Sequence, residues 1–326
     1  MYNQFPGASE TYRNTAEEKI NIGLIGKTSG LCIIAYVIIQ NALTLPLLFP
    51  YVRELFKTNS LFQDSVTIFL SVLGLLIPFA VGGKRLEKKL NVNAFPLEKP
   101  YDMRLAVFVV FLGFFICLIG DYITGQFTGL IEKTGFKLSQ PDFATPDGII
   151  GRLYYILTIA VVPALCEEAA VRGAVMQPLR RYGDKFAIII SSLVFAILHG
   201  NLVQFPFALI AGLGLGYAAC ITGSLWPSII IHCLNNVYSC ITAFMMTDIT
   251  DTEKLNTVFT VTLYSLYAVS ILGSVIFVFI KGRRSLNKLP TYNTAGKKAG
   301  AFFGNIPMII SLIIMLIITA NYISRV

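Results

Sequence analysis

The chain has 326 residues, of which 55% are hydrophobic and 13% charged, and its formal net charge is +8. Soluble domains carry about 25% charged residues, so this composition excludes a soluble enzyme and assigns the length to membrane spans. The positive excess does not point to nucleic acid, because the basic residues fall in short loops between apolar runs.

Taken in order, the sequence predicts an all-α, polytopic transmembrane bundle of about eight to nine spans. The first 27 residues are polar and mixed in charge, and no cleavable signal is evident in them. Nine apolar runs follow, at roughly 30–49, 61–81, 105–131, 149–179, 186–199, 205–222, 225–246, 258–280 and 302–323. The fifth is short for a span. The fourth is longer than the ~20 residues a span needs and is interrupted by Pro163, Gly173 and Pro178, which predicts kinks. A turn-rich loop is expected at 141–148 and a polar, flexible loop at 287–298. The organisation read from this is an N-terminal tail with accessory helices (1–148), a catalytic-type core (149–247) and C-terminal accessory helices (248–326).

Alternate loops differ in charge. Eighteen Lys and Arg lie before run one and after runs two, four and eight, and six lie on the opposite side. That asymmetry predicts nine spans with the N-terminus cytoplasmic. Six cysteines (Cys32, Cys117, Cys166, Cys220, Cys233, Cys240) all lie in apolar runs without C-x-x-C spacing. They read as small buried hydrophobes, not as a disulfide frame or zinc site.

The chemistry concentrates in run four, where Glu167, Glu168 and Arg172 are embedded in apolar sequence. Charges at membrane depth cost about 2.5 to 3.5 kcal/mol each on insertion scales and persist when paired, facing a wet cavity, or used. Glu168 and Arg172 are four apart and share a helix face; Glu167 is turned about 100° away. One glutamate therefore reads as held and the other as free. The chain has two histidines, His199 and His232, both in apolar runs, and His232 shares a face with Asn236, with Asn235 beside it. On a ~1.5 Å rise per residue, Glu167 and His199 each lie about 20 Å from the basic side and His232 about 10 Å. Convergence therefore requires a kink.

This set suits peptide hydrolysis. A carboxylate in a low-dielectric site is a general base for water, and His and Asn can donate to the oxyanion. The other wiring is a metal, with Glu167, His199 and His232 as a His₂Glu set for an ion such as zinc; no H-E-x-x-H is present. A serine elbow is absent, and Cys166 reads as packing rather than as a nucleophile. Asp121 is placed near the outer interface, outside the site. Gly212, Gly214 and Gly216 read as close helix contacts and not as a nucleotide loop.

Glu167-Glu168-x-x-x-Arg172, Phe195-x-x-x-His199 and His232-x-x-x-Asn236, in this order and inside apolar helices, resemble the CAAX protease and bacteriocin-processing (CPBP, or Abi) family of intramembrane proteases. Gly212-Leu-Gly-Leu-Gly-Tyr217 and Thr222-Gly-Ser-Leu-Trp226-Pro-Ser228 are also similar to the family's pattern. The resemblance covers about residues 150 to 240. It implies an intramembrane endopeptidase acting on a membrane-associated protein or peptide, of the CAAX type or of the leader, pheromone or bacteriocin type. It also implies Glu167 as the base that activates water. His199, His232 and Asn236 would hold the water and oxyanion, or a divalent metal if one is used; metal-dependent and metal-free mechanisms are both open. Glu168, Arg172, Phe195 and Asn235 would support them. A bacterial plasma membrane is the expected location and the lipid bilayer an expected partner, with basic loops as secondary sites for anionic headgroups. Two other readings stand beside this one: a non-catalytic scaffold or immunity protein of the same fold, and a proton-coupled transporter. The absence of a defensible inverted repeat weighs against the transporter.

Overall fold

A computed structural model describes the backbone of residues 8–141, 144–287 and 291–325, with side chains from residue 13. Lys288, one of the basic residues used above for topology, and residues 142–143 of the turn-rich loop lie outside these.

The described residues form a bundle of eleven helices. They are α1 (Ala8–Thr44), α2 (Pro50–Thr58), α3 (Ser60–Leu90), α4 (Met103–Glu132), α5 (Gly148–Tyr182), α6 (Asp184–Leu198), α7 (Phe205–Thr222), α8 (Trp226–Asp248), α9 (Thr252–Lys281), α10 (Ala295–Phe303) and α11 (Ile306–Ala320). α4 is the hub, packed against α7, α8 and α9, while α1 runs beside α10 and α11. One feature is outside the all-helical expectation. Strands β1 (Phe136–Leu138) and β2 (Ile323–Arg325) pair antiparallel and tie the end of α4 to the end of the chain.

The protein is an integral, multi-pass membrane protein. Among the described residues seven helices are long and apolar enough to cross a membrane, and α10 with α11, bent by 78° at Gly304 and Asn305, makes up to eight, in keeping with the expected eight to nine. The fifth run folds as α6, which has only 15 residues and at ~1.5 Å per residue spans about 22 Å. α6 nevertheless reverses the chain direction, because the links at 182–184 and 222–226 lie at one end of the bundle and 199–205 lies towards the other.

The basic end is held by polar ties. Glu18 accepts the N–H groups of Tyr292 and Asn293 at 2.8 and 3.2 Å. Arg284 bonds Asp102 at 2.8 Å. That bond, with the N–H groups of Leu105 and Arg104, holds the Asp102 carboxyl below its ordinary range. Several basic residues assigned to loops are anchors instead. Lys298 is buried, with Nζ on the Tyr182 carbonyl at 2.8 Å and over the Phe186 ring; Arg181 reaches the Leu90 carbonyl. At the opposite end Arg152, read as lying within span four, grips Asp248 through two bonds of 2.6 and 2.5 Å. This joins the start of α5 to the end of α8.

The prolines of α3 and α5 produce wide turns rather than sharp kinks. The π-helical turns Leu70–Leu76, Leu157–Val161 and Ala169–Met176 end two residues before Pro78, Pro163 and Pro178, respectively. The cause is common to all three. Proline has no N–H for the carbonyl four residues back and its ring crowds that carbonyl, and a five-residue step relieves the crowding. Gly173 lies within the last wide turn for a steric reason. A Cβ there would sit 2.8 Å from the Phe95 ring and 3.1 Å from the Ala94 carbonyl, so glycine admits the loop after α3 against α5.

Candidate active site

The site is built from three segments. α5 presents Val162–Glu168 between its two wide turns. α6 carries Phe195 and ends so that His199 follows its last residue. α8 carries His232, Asn235 and Asn236.

The two glutamates differ as their spacing requires. Glu168 and Arg172 are fully buried, with Arg172 Nη1 3.1 Å from Glu168 Oε1. The same oxygen accepts from His232 Nδ1 at 3.1 Å. Arg172 Nη2 donates to the Gly212 carbonyl at 3.3 Å, and its guanidinium lies 4.2 Å over the Phe195 ring. Gly212 makes this approach possible, since a Cβ there would come within 3.0 Å of Ser192. Gly214 and Gly216 likewise face Ile116 and Ile188, in keeping with their reading as helix contacts. Glu168 Oε2 and Arg172 Nε have no hydrogen-bond partner. The pair is thus a charged brace with spare capacity, costly if halved.

Glu167 is the open member. Its side chain is 26% exposed, and its Oε2 is 3.9 Å from His232 Nε2. His199 and His232 pack edge-on against the same Phe195 ring, with centroids 4.8 and 5.7 Å away, and Glu167, His232 and Arg172 all act electrostatically on His199. The predicted residues of α5, α6 and α8 therefore share one neighbourhood. The uneven depths are resolved at the α7–α8 turn. Thr222, Ser224 and Leu225 are buried there under the 96–101 loop, whose backbone bonds Thr222, Ser224, Leu225 and Trp226. α8 therefore begins below the basic surface, not at it.

Hydrogen-bond partners fix the imidazole tautomers. His232 Nδ1 faces a carboxylate and His199 Nδ1 faces the Phe195 carbonyl at 2.8 Å. Both acceptors require N–H at Nδ1, so in the neutral form each Nε2 offers a lone pair. That chemistry matches metal ligands held by outer partners. The spacing does not match: among the described residues no three His, Cys, Asp or Glu side chains converge as a metal set.

Asn236 has a task that sequence reading missed. Its Nδ2 donates to the Ile159 carbonyl at 3.1 Å, and Ile159 is the residue four before Pro163, whose missing N–H would otherwise have gone there. Asn235 in turn donates to Asn236 Oδ1 at 3.4 Å. Asn236→Ala is expected to cost about 1–3 kcal/mol through the unpaired carbonyl, read as a lower thermal midpoint. Asn236→Ser, which keeps a donor on a shorter arm, should recover part of it. Asn201 also escaped notice. It is buried and ties the turn after His199, donating to the His199 carbonyl at 3.0 Å and to Gln204 at 2.8 Å. Cys166 is buried among core side chains, in keeping with packing.

No curated protein and no solved structure matches the chain. A family model described as "Type II CAAX prenyl endopeptidase Rce1-like" matches residues 149–238, a little over a quarter of the sequence. This interval contains Glu167, Glu168, Arg172, Phe195, His199, His232, Asn235 and Asn236, so the part of the membrane bundle that carries the candidate site is the part similar to that family.

Proposed function

We propose that this protein is an intramembrane endopeptidase that hydrolyses a peptide bond with water activated by Glu167. The observation that carries the reading is the contrast between neighbours. Glu168 is locked by Arg172 and His232, while Glu167 is left open beside His232 Nε2.

In this mechanism Glu167 takes a proton from water as the oxygen attacks the carbonyl carbon. His199 and His232 accept hydrogen bonds that position the water. Glu168 orients His232 by holding its Nδ1–H, which keeps Nε2 turned to the water. Glu167 then returns its proton to the departing amine. The substrate is a membrane-associated peptide, either of the prenylated CAAX kind that the family's description names or a leader, pheromone or bacteriocin precursor. We place the N-terminus on the cytoplasmic side, on the strength of the basic loops, and the protein in a bacterial plasma membrane by analogy with bacterial members of the family.

A metal at Glu167 and the two Nε2 atoms is the second reading, favoured by the tautomers alone. One experiment separates the two. Purified protein is incubated with farnesylated CAAX peptides, unmodified peptides and leader peptides, with and without chelator, and the products are read by mass spectrometry. Cleavage that survives chelation supports the metal-free reading. Loss on chelation with recovery on adding zinc supports the metal. Cleavage unaffected by Glu167→Gln removes both.

A further inference from the structure

The way α6 ends sets the His199 ring. The His199 N–H turns to the Ala196 carbonyl at 3.4 Å and the Gly200 N–H to the Ile197 carbonyl at 3.1 Å, each three residues back. A continuing α-helix would have sent the His199 N–H four back, to Phe195. The tightened last turn leaves the Phe195 carbonyl to the imidazole, whose Nδ1 meets it at 2.8 Å. The backbone twist at the end of α6 and the tautomer of His199 are therefore one arrangement.

That arrangement has a loose end. His199 is the first residue past α6, and its own carbonyl has no partner within the helix. α6 spans about 22 Å of an apolar layer about 30 Å thick, so the turn lies at a depth where an unpaired carbonyl is costly. It is also covered. Gly200 is buried with φ at 64°, and a Cβ on it would come 3.1 Å from Ile318 and 3.3 Å from Met315 of α11. Asn201 supplies the missing partner. It is 2% exposed, and both polar atoms of its side chain are engaged. Nδ2 donates to the His199 carbonyl at 3.0 Å and to Gln204 Oε1 at 2.8 Å, and Oδ1 accepts the Gln204 N–H at 2.9 Å.

We propose that Asn201 is a positioning residue for His199. By holding the His199 carbonyl it keeps the tight end of α6, and with it the bond from Nδ1–H to the Phe195 carbonyl. That bond leaves the lone pair on Nε2, the atom that accepts from the attacking water. Asn201 acts only through His199. Its effect on turnover rests on the endopeptidase reading, whereas its effect on the ring is measurable without any substrate.

The test combines cleavage kinetics, thermal midpoints and a spectroscopic signature. The chain holds only two histidines, so ¹⁵N-labelled histidine reports the ring directly at a pH that keeps it neutral, with His232→Ala giving the assignment. Asn201→Ala should convert the Nδ1–H form of His199 into a mixture of tautomers. Its kcat should fall on the order of 10²-fold, the effect of a small misplacement, with KM within a factor of about three. Asn201→Asp keeps the acceptor for the Gln204 N–H and drops both N–H donors; it should behave alike and serves if the alanine variant does not fold. Gln204→Ala leaves the bond to the His199 carbonyl and should keep the Nδ1–H form. If both Asn201 variants keep that form while their midpoints fall, Asn201 merely closes the turn and the inference fails. If Gln204→Ala shifts the tautomer as far as they do, the turn as a whole sets the ring and the inference again fails. In both cases a Glu167→Gln variant that is inactive beside an active wild type leaves the protease reading standing. If the wild-type protein cleaves no peptide in the panel, that reading falls and the kinetic role of Asn201 with it, while the tautomer still decides whether Asn201 sets the ring.

Discussion

Glu167→Gln is expected to lower kcat for peptide cleavage by about 10²–10⁴-fold, the span of general-base contributions, and to leave the folded state nearly untouched. The asymmetry follows from position. Glu167 is partly exposed and its nearest charged contact is His232 Nε2 at 3.9 Å, so the amide removes proton affinity without stranding a buried partner. A change of less than about 0.5 kcal/mol in stability is typical of such a site. Parallel measurements of turnover and unfolding in detergent decide the matter. A variant that unfolds early would show that Glu167 is structural, and one that retains turnover would show that another group takes the proton.

Arg172→Ala should do the reverse, lowering stability first and activity through it. Removing one member of a buried pair costs about 3–5 kcal/mol, because the remaining charge keeps its desolvation penalty and loses its partner. Here Glu168 would be stranded at zero exposure, and the Phe195 ring would lose the cation stacked on it. Replacing both members, as Glu168→Leu with Arg172→Met, should cost much less than either single change, since a buried pair is often equalled by apolar side chains of like volume. The double variant should nevertheless be a poor enzyme, because His232 loses the acceptor that orients Nδ1. A double variant no more stable than Arg172→Ala would show that the pair stabilises the fold beyond its mutual attraction.

Much of this site was legible in the sequence because its residues are rare in apolar runs. A glutamate and an arginine four apart leave few choices of partner, and the structure places them 3.1 Å apart. The division between Glu167 and Glu168 follows from a 100° step around a helix. Less visible was whatever depends on another element's position. The Ile159 carbonyl next to Asn236 is orphaned by Pro163, but only tertiary packing brings α8 to it. His232 was placed too shallow because the 222–226 turn reads as a surface link, whereas it is buried under the 96–101 loop. Lys298 looked like a loop charge because sequence shows no sign of the Tyr182 carbonyl it meets.

The wide turns of α5 carry a consequence for evolution. A π-turn stores one residue more than the α-helix it interrupts, and two of them bracket the seven residues from Val162 to Glu168. That short cylinder is offset in rotational phase from the helix on either side of it, while Gly148 and Tyr182 stay where the bundle fixes them. Insertions or deletions in the outer portions of the rod would be absorbed at the brackets before reaching the carboxylates. Variation in the lengths of the membrane helices need not disturb the chemistry they surround.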